Sequence, residues 1–397
     1  MELSDDPVVK FTNSVLGEAV KRRSSDVFIE PEEKNLRVRY RVDGLLQEGA
    51  MSTQALHGGI ISRLKVMANL DIAEHRLPQD GRFRIKVQEK EIDFRMSVLP
   101  TYFGEKVVLR VLDKGQVSLD IEQLGFEAEP LKALKKAADH PHGMILVCGP
   151  TGAGKTTTLY SVLKLLDKPD KNIVTVEDPV EFRLYGINQV TIRPEIKFTF
   201  AAALRSILRQ DPNVIMVGEI RDFETADVAV KAALTGHMVL STLHATTAVG
   251  AVTRLVNIGI EPFLITSSLL LVGSQRLVRR VCSTCKESYE PSEELLGELG
   301  MSKKNSKEKL AFYRGRGCEA CNKKGYVGRA VLLEALVLTP AAKEMILTGA
   351  QEYQLKALGR KEGMKTMRED GIAKILRGIT TPEEVMRVTV KDETGIL

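Results

Sequence analysis

The chain has 397 residues, 43% hydrophobic and 27% charged, the make-up of a globular protein long enough for two or three domains with their own cores. A net charge of +5 is weak for this length, and no tryptophan is present to interleave a basic strip, which argues against a nucleic-acid partner or a DNA translocase. The longest apolar run, Phe263–Val272, is too short to span a bilayer, and MELSDDPVVKF has no basic-then-apolar signal region, so a cytoplasmic location is expected.

Val8–Arg22 places apolar residues three and four apart and is predicted helical. DVFIEPEEKNLRVRYRVDGLLQE alternates around Leu36–Val42 and reads as a β-hairpin or meander. Ile60–Ala68 is predicted helical, and HRLPQDGRFRIKV and KEIDFRMSVLP as two more strands. Residues 1–112 are therefore expected to form a small α+β domain, with 113–130 as the link to a second domain. Arg76, Arg82, Arg84, Arg95 and Arg110 cluster around the second strand pair. Composition alone favours a solvated basic strand face there over arginine fingers aimed at phosphates.

The next stretch, MILVCGPTGAGKTTTL, fits G-x-x-x-x-G-K-[ST] at every fixed position from Gly149 to Thr156. An apolar run (Met144–Val147) leads in and a helix-forming run (Thr157–Leu166) leads out. A strand that turns through glycines into a helix aims its backbone N–H groups, and the helix dipole, at one spot. Gly149, Pro150, Thr151, Gly152, Ala153, Gly154, Lys155, Thr156 and Thr157 are thus predicted to cradle the phosphates of a nucleoside triphosphate. Lys155 would reach the β- and γ-phosphates and the Thr156 hydroxyl would ligate Mg²⁺.

Three further apolar strands come after it, NIVTVEDPVEF, NVIMVGEIRD and HMVLSTLH, separated by the helix-like Thr199–Arg209 and Glu224–Leu234. Strands alternating with helices describe a mostly parallel α/β sheet of RecA type over residues 131–276. Its strand ends would supply Glu177, Asp178, Glu181, Glu219, His237 and His244 on the edge that holds the phosphate loop. Cys282-x2-Cys285 and Cys318-x2-Cys321 form two knuckles that together suit a closed, structural Zn²⁺ site over residues 277–330. Cys148 reads as a core residue. Residues 331–397 are expected to be a helical region in which Leu347, Leu355, Leu358, Met364, Ile375 and Leu376 supply apolar faces.

The succession GPTGAGKTTTLY, TVEDPVEF, LRSILRQDPNVIMVGEIRD and TGHMVLSTLH resembles the Walker A, Asp box, Walker B and His box of the secretion and pilus motor ATPases. SSDVFIEP, RLPQDGR, EIDFRMSVLP, GEKVVLR, the tetracysteine region and REDGIAKILRGITTPEEVMRVT extend the resemblance over nearly the whole chain. It implies a RecA-like ATPase domain preceded by a small PAS-like α+β domain, and a homohexameric ring that works an inner-membrane platform protein from the cytoplasmic face. Glu219 would polarise the attacking water with Glu177 as rival general base, and His244 would sense or contact the γ-phosphate or a neighbour, with His237 close by. Arg95 and Arg110 match the family's arginine fingers. The tetracysteine element is similar to that of pilus-extension (PilB-type) and type II secretion (GspE-type) members, and RLPQDGR and the tail favour pilus assembly over secretion. The resemblance also implies a core without the family's first N-terminal domain, and it departs at Phe28, where a histidine is common.

Overall fold

The computed structural model describes residues 6–87, 90–112, 119–301 and 310–391, and the chain divides into a unit of residues 1–117 and one of 118–397. In the first unit, α1 (Pro7–Lys21) begins where Asp6 accepts the Val8 amide at 2.7 Å. Pro7 sits in the first turn, where its missing N–H is no loss. The strands β1 (Asp26–Pro31), β2 (Asn35–Val42) and β3 (Leu45–Thr53) form a meander, followed by α2 (His57–Met67). Then β4 (Gln79–Val87), β5 (Lys90–Thr101) and β6 (Gly104–Leu112) complete an antiparallel sheet in the order β3-β2-β1-β6-β5-β4. Alternation puts Val27, Val38, Tyr40, Phe94 and Leu109 on one face, in one core with Val15, Leu16 and Leu64 of the two helices. The other face is polar, as in an antiparallel sheet covered on one side.

The second unit runs α3 (Ala128–Ala138), β7 (Gly143–Cys148), α4 (Lys155–Leu166), β8 (Ile173–Glu177), β9 (Asn188–Thr191), α5 (Phe200–Ile207), β10 (Val214–Ile220) and α6 (Phe223–Leu234). It continues through β11 (Met238–Leu243), α7 (Ala248–Ile258), α8 (Pro262–Ser268) and β12 (Leu269–Val281). Every residue of β7, β8 and β11 is buried, as expected of parallel strands covered on both faces. Successive residues of β7 serve opposite cores. Met144 and Leu146 join α5, α6 and α7 on one side, while Ile145 and Val147 join Leu134 of α3 and Leu159 and Val162 of α4 on the other.

The cysteine-bearing segment carries β13 (Lys286–Tyr289), α9 (Glu293–Leu299) and β14 (Phe312–Gly315), and the chain returns as β15 (Tyr326–Val337). The full sheet order is β15-β12-β7-β11-β10-β8-β9, parallel except that β15 runs antiparallel to β12. Both segment limits expected from sequence, 276/277 and 330/331, therefore fall inside strands of the main sheet. The cysteine pairs are visible as spacing, whereas a strand pairing across the whole cysteine segment is not. The tail folds as α10 (Pro340–Leu347), α11 (Glu352–Lys361), α12 (Met367–Leu376) and α13 (Pro382–Val388). Leu355, Met364 and Ile375 are buried there, but Leu347 and Leu376 are 53% and 41% exposed and do not serve as core. Residues 113–118 of the expected link and 302–309 of the cysteine segment lie outside the described residues. Among the described residues, no helix is long and apolar enough to cross a membrane.

Candidate functional site

The strand β7 ends at Cys148, and the chain turns through Gly149, Gly152 and Gly154 at φ 145°, 79° and 84° before α4 begins at Lys155. Only glycine enters that region freely. A Cβ at Gly149 would also lie 2.5 Å from the Gln275 carbonyl oxygen, so this turn excludes any other residue. Pro150, Thr151 and Gly152 line the exposed rim, Ala153 is buried beneath it, and Gly154, Lys155, Thr156 and Thr157 are half-buried. Lys155 Nζ donates to the carbonyls of Gly149 at 2.8 Å and Pro150 at 3.1 Å, folding its charge over the loop. Burial pulls the Lys155 ammonium below its usual range, while the Glu219 carboxylate acts in the opposite sense. A cationic loop of free amides at a helix N-terminus suits a polyphosphate.

Glu219 owes its position to a register shift. Val217 pairs with Ser241 and Ile220 with Leu243, so one extra residue of β10 bulges out at Gly218–Glu219. Bulges re-aim side chains beside functional sites. Thr242 Oγ1 holds the bulge by donating to Gly218 O at 2.7 Å. A Cβ at Gly218 would be 3.2 Å from Val176 O. The Glu219 carboxylate, 15% exposed, pairs with Arg221 and lies 3.4 Å from His244 Nε2. Thus Glu219 and His244 meet on the phosphate-loop edge of the sheet, and Lys155 feels the same carboxylate.

Two other acidic or basic candidates stand differently. The Glu177 side chain is buried, and both oxygens are engaged by Tyr160 Oη, by Thr175 Oγ1 at 2.6 Å and by Gln189 Nε2 at 3.2 Å. Burial raises its pKa, with those three donors working the other way. His237 does not join the site. The pairing of Met238 with Gly143 and Leu243 with Cys148 places it at the opposite end of β11, where its Nδ1 lies 2.9 Å from Ala232 O. Flanking a strand with two histidines puts them on opposite edges of the sheet.

Residues missed by the sequence reading complete the loop. Ser274 pairs with Cys148, so the next residues of β12 run on beside the phosphate loop. Gln275, fully buried, donates from Nε2 to Ala153 O at 2.6 Å and accepts Thr158 Oγ1 at 2.8 Å, bracing the loop against α4. Arg276 donates to Gln275 O at 2.9 Å and Thr246 O at 3.2 Å. The only sequence signal was the polar run SQR, which follows the apolar run Leu269–Val272 after a single glycine.

On the polar sheet face of the first unit, directly opposed residues run Arg41, Asp26, Arg110, Arg95, Arg82 across β2, β1, β6, β5 and β4. Asp26 is shared by Arg41 and Arg110, each at 3.4 Å. Elsewhere on this unit, cations are matched more closely: Arg39 and Lys106 with Glu30 at 2.7 and 2.9 Å, Arg84 with Asp93 at 2.6 Å, and Arg76 with Glu74 at 2.9 Å. Arg110, Arg95 and Arg82 therefore stand side by side in a row across three neighbouring strands. Phe28 lies beside it with Arg41 at 5.2 Å and Lys106 at 5.8 Å from its ring, an apolar spacer under cations.

The Sγ atoms of Cys282, Cys285, Cys318 and Cys321 all lie within 4.8 Å of one another, with pairs at 3.8–3.9 Å. Tetrahedral sulfurs about 2.3 Å from a Zn²⁺ stand about 3.8 Å apart, so the set fits that ion. Amides of Gly317, Cys318 and Gly325 donate to Cys285 and Cys321 sulfur at 3.1–3.3 Å, contacts that favour thiolates.

The family model described as type II/IV secretion system protein matches residues 1–387. The type IV pilus assembly ATPase PilB of Myxococcus xanthus is 52% identical over 390 residues, 98% of this chain and 69% of its own length. The type II secretion system ATPase E of Vibrio cholerae is 51% identical over 390 residues, 98% of this chain and 77% of its own. Among solved structures, the Legionella pneumophila ATPase DotB superposes with a TM-score of 0.69 at 20% identity, covering 98% of this chain and 97% of that one. The pilus retraction motor PilT with bound ADP gives 0.62 at 23% identity, covering 96% and 97%. These two are likenesses of fold.

Proposed function

The chain belongs to the type II/IV secretion system protein family and is an ATPase, and from that premise we propose that it drives type IV pilus assembly. In this reading a homohexameric ring, held at the cytoplasmic face of the inner membrane by a platform protein, converts ATP hydrolysis into pilin polymerisation. One observation carries the hydrolytic part: the β10 bulge brings Glu219 to His244 on the same sheet edge as the phosphate loop. Backbone amides of the loop and Lys155 bind the β- and γ-phosphates, Glu219 orients the attacking water and takes its proton, and His244 stands by to report the γ-phosphate. The Thr156 hydroxyl would help to hold Mg²⁺, which would supply charge neutralisation when bound. Arg95 and Arg110 act as fingers that neutralise phosphate charge as hydrolysis proceeds.

Pilus assembly rests on the PilB relative, and type II secretion stands close behind on the equally similar secretion ATPase. Expressing the chain in a strain that lacks its own extension ATPase is expected to restore surface pili, counted by electron microscopy, and Lys155→Ala to restore none. Restored exoprotein secretion in a strain lacking the secretion ATPase, with no pili in the first strain, would transfer the chain to secretion.

Zn²⁺ in the four-cysteine site has a structural role here, since four thiolates leave no open position for substrate. The purified protein should contain about one zinc per chain by elemental analysis. Chelation, or Cys282→Ser, should lower its thermal midpoint while ATP still binds. A protein carrying no metal as purified and indifferent to chelator would end this assignment.

A further inference from the structure

Ser274, Gln275 and Arg276 contact two loops at once. Arg276 Nη2 donates to Thr246 O at 3.2 Å, and Thr246 follows His244 by two residues on the loop that leaves β11. The same carbonyl accepts Ser274 Oγ at 3.0 Å. The other arm of the guanidinium, Nη1, donates to Gln275 O and would lie 3.2 Å from a Cβ on Gly149, so it packs against the first residue of the phosphate loop. Behind it, Glu334 on β15 is buried, accepts the Ala248 amide at 2.9 Å where α7 begins, and acts electrostatically on Arg276. One half-buried cation therefore touches the phosphate loop and the His244 loop, and feels the carboxylate that anchors the far end of the latter.

We infer that Arg276 is a positioning residue for hydrolysis: it fixes the His244 loop against the phosphate loop and so sets where His244 and its partner Glu219 stand over the γ-phosphate. The inference rests on the hydrolytic reading of the site given above. A planar guanidinium donates to two carbonyls in a fixed fork, and an ammonium at the same place is a flexible point charge, so lysine is a poor substitute. The geometry also separates positioning from binding. Arg276 donates to the Thr246 carbonyl of the His244 loop and to Gln275 O of its own strand, whereas in the reading above Lys155 and the loop amides take the phosphates, so its loss should disturb reaction geometry more than affinity.

The test compares the native protein with Arg276→Ala, Arg276→Lys and Ser274→Ala, measuring kcat, KM, the Kd for ADP and the thermal midpoint under identical conditions. Misplacing a catalytic group by about 1 Å costs roughly 10²-fold in rate. Arg276→Ala is accordingly expected to lose kcat by about that factor with the Kd for ADP little changed, and Arg276→Lys to recover only a small part. Ser274→Ala, which keeps the arginine and removes one of two donors to Thr246, should show a smaller loss in the same direction. Guanidinium ion at low millimolar concentration should return part of the rate to Arg276→Ala and none to Ser274→Ala. Native turnover with an unchanged Arg276→Ala kcat would overturn the inference alone. So would a loss that follows the Kd for ADP, which makes Arg276 a binding residue, or one that follows the thermal midpoint, which makes it structural. Absence of turnover in the native protein would remove the hydrolytic reading and the inference together.

Discussion

Replacing Glu219 with glutamine is expected to lower ATP turnover by about 10²- to 10⁴-fold, the usual worth of a positioned general base, with ATP affinity nearly kept. The variant retains the shape of the side chain and its contacts with Arg221 and His244, but its amide cannot take a proton from water. The bulge that presents it is held by Thr242 and by the close approach of Gly218 to Val176, neither of which the substitution touches. Glu177→Gln makes the control. That carboxylate is sealed by Tyr160, Thr175 and Gln189, so it has little room to receive a water and is better suited to fixing the strand end and α4. Its loss should cost stability first, because an amide cannot accept all three hydrogen bonds on both of its polar atoms. Single-turnover hydrolysis measured beside nucleotide binding decides between the two. Normal turnover in Glu219→Gln together with a dead but fully stable Glu177→Gln would reverse the assignment.

How much of this was legible in the sequence depended on whether the signal was local. The phosphate loop was, because G-x-x-x-x-G-K-[ST] constrains backbone and chemistry within eight residues, Gly149 to Thr156. So were the strands with their period, and the two cysteine knuckles. What the sequence hid were contacts made across the sheet. The antiparallel return of β15 onto β12 joins residues on either side of the cysteine segment, and apolar runs do not say with whom they pair. The brace from Gln275 to the loop depends on that same strand lying beside β7, so SQR had no visible reason to be polar. His237 and His244 look equivalent around one strand until the parallel register assigns them to opposite edges. The bulge at Glu219 was equally silent, since a register shift belongs to two strands and not to one.

The arginine row is the case where register changes the physical argument. Alternation alone made Arg95 and Arg110 members of a solvated basic face, yet pairing puts them side by side with Arg82 beyond and one shared aspartate on the other flank. In the proposed reading the row serves a nucleotide phosphate. Arg95→Ala is then expected to cut ATP turnover by about 10³-fold or more, the lower end for an arginine finger, and Arg95→Lys to rescue little because a finger needs the planar fork. A collapse of activity larger than any fall in the thermal midpoint distinguishes a finger from a structural arginine, whose loss would lower both together. Specific activity should also climb with protein concentration, since a ring must assemble before every site is complete. Flat specific activity with an unaffected Arg95→Ala would mean that each chain hydrolyses ATP alone and that the row binds no phosphate during turnover.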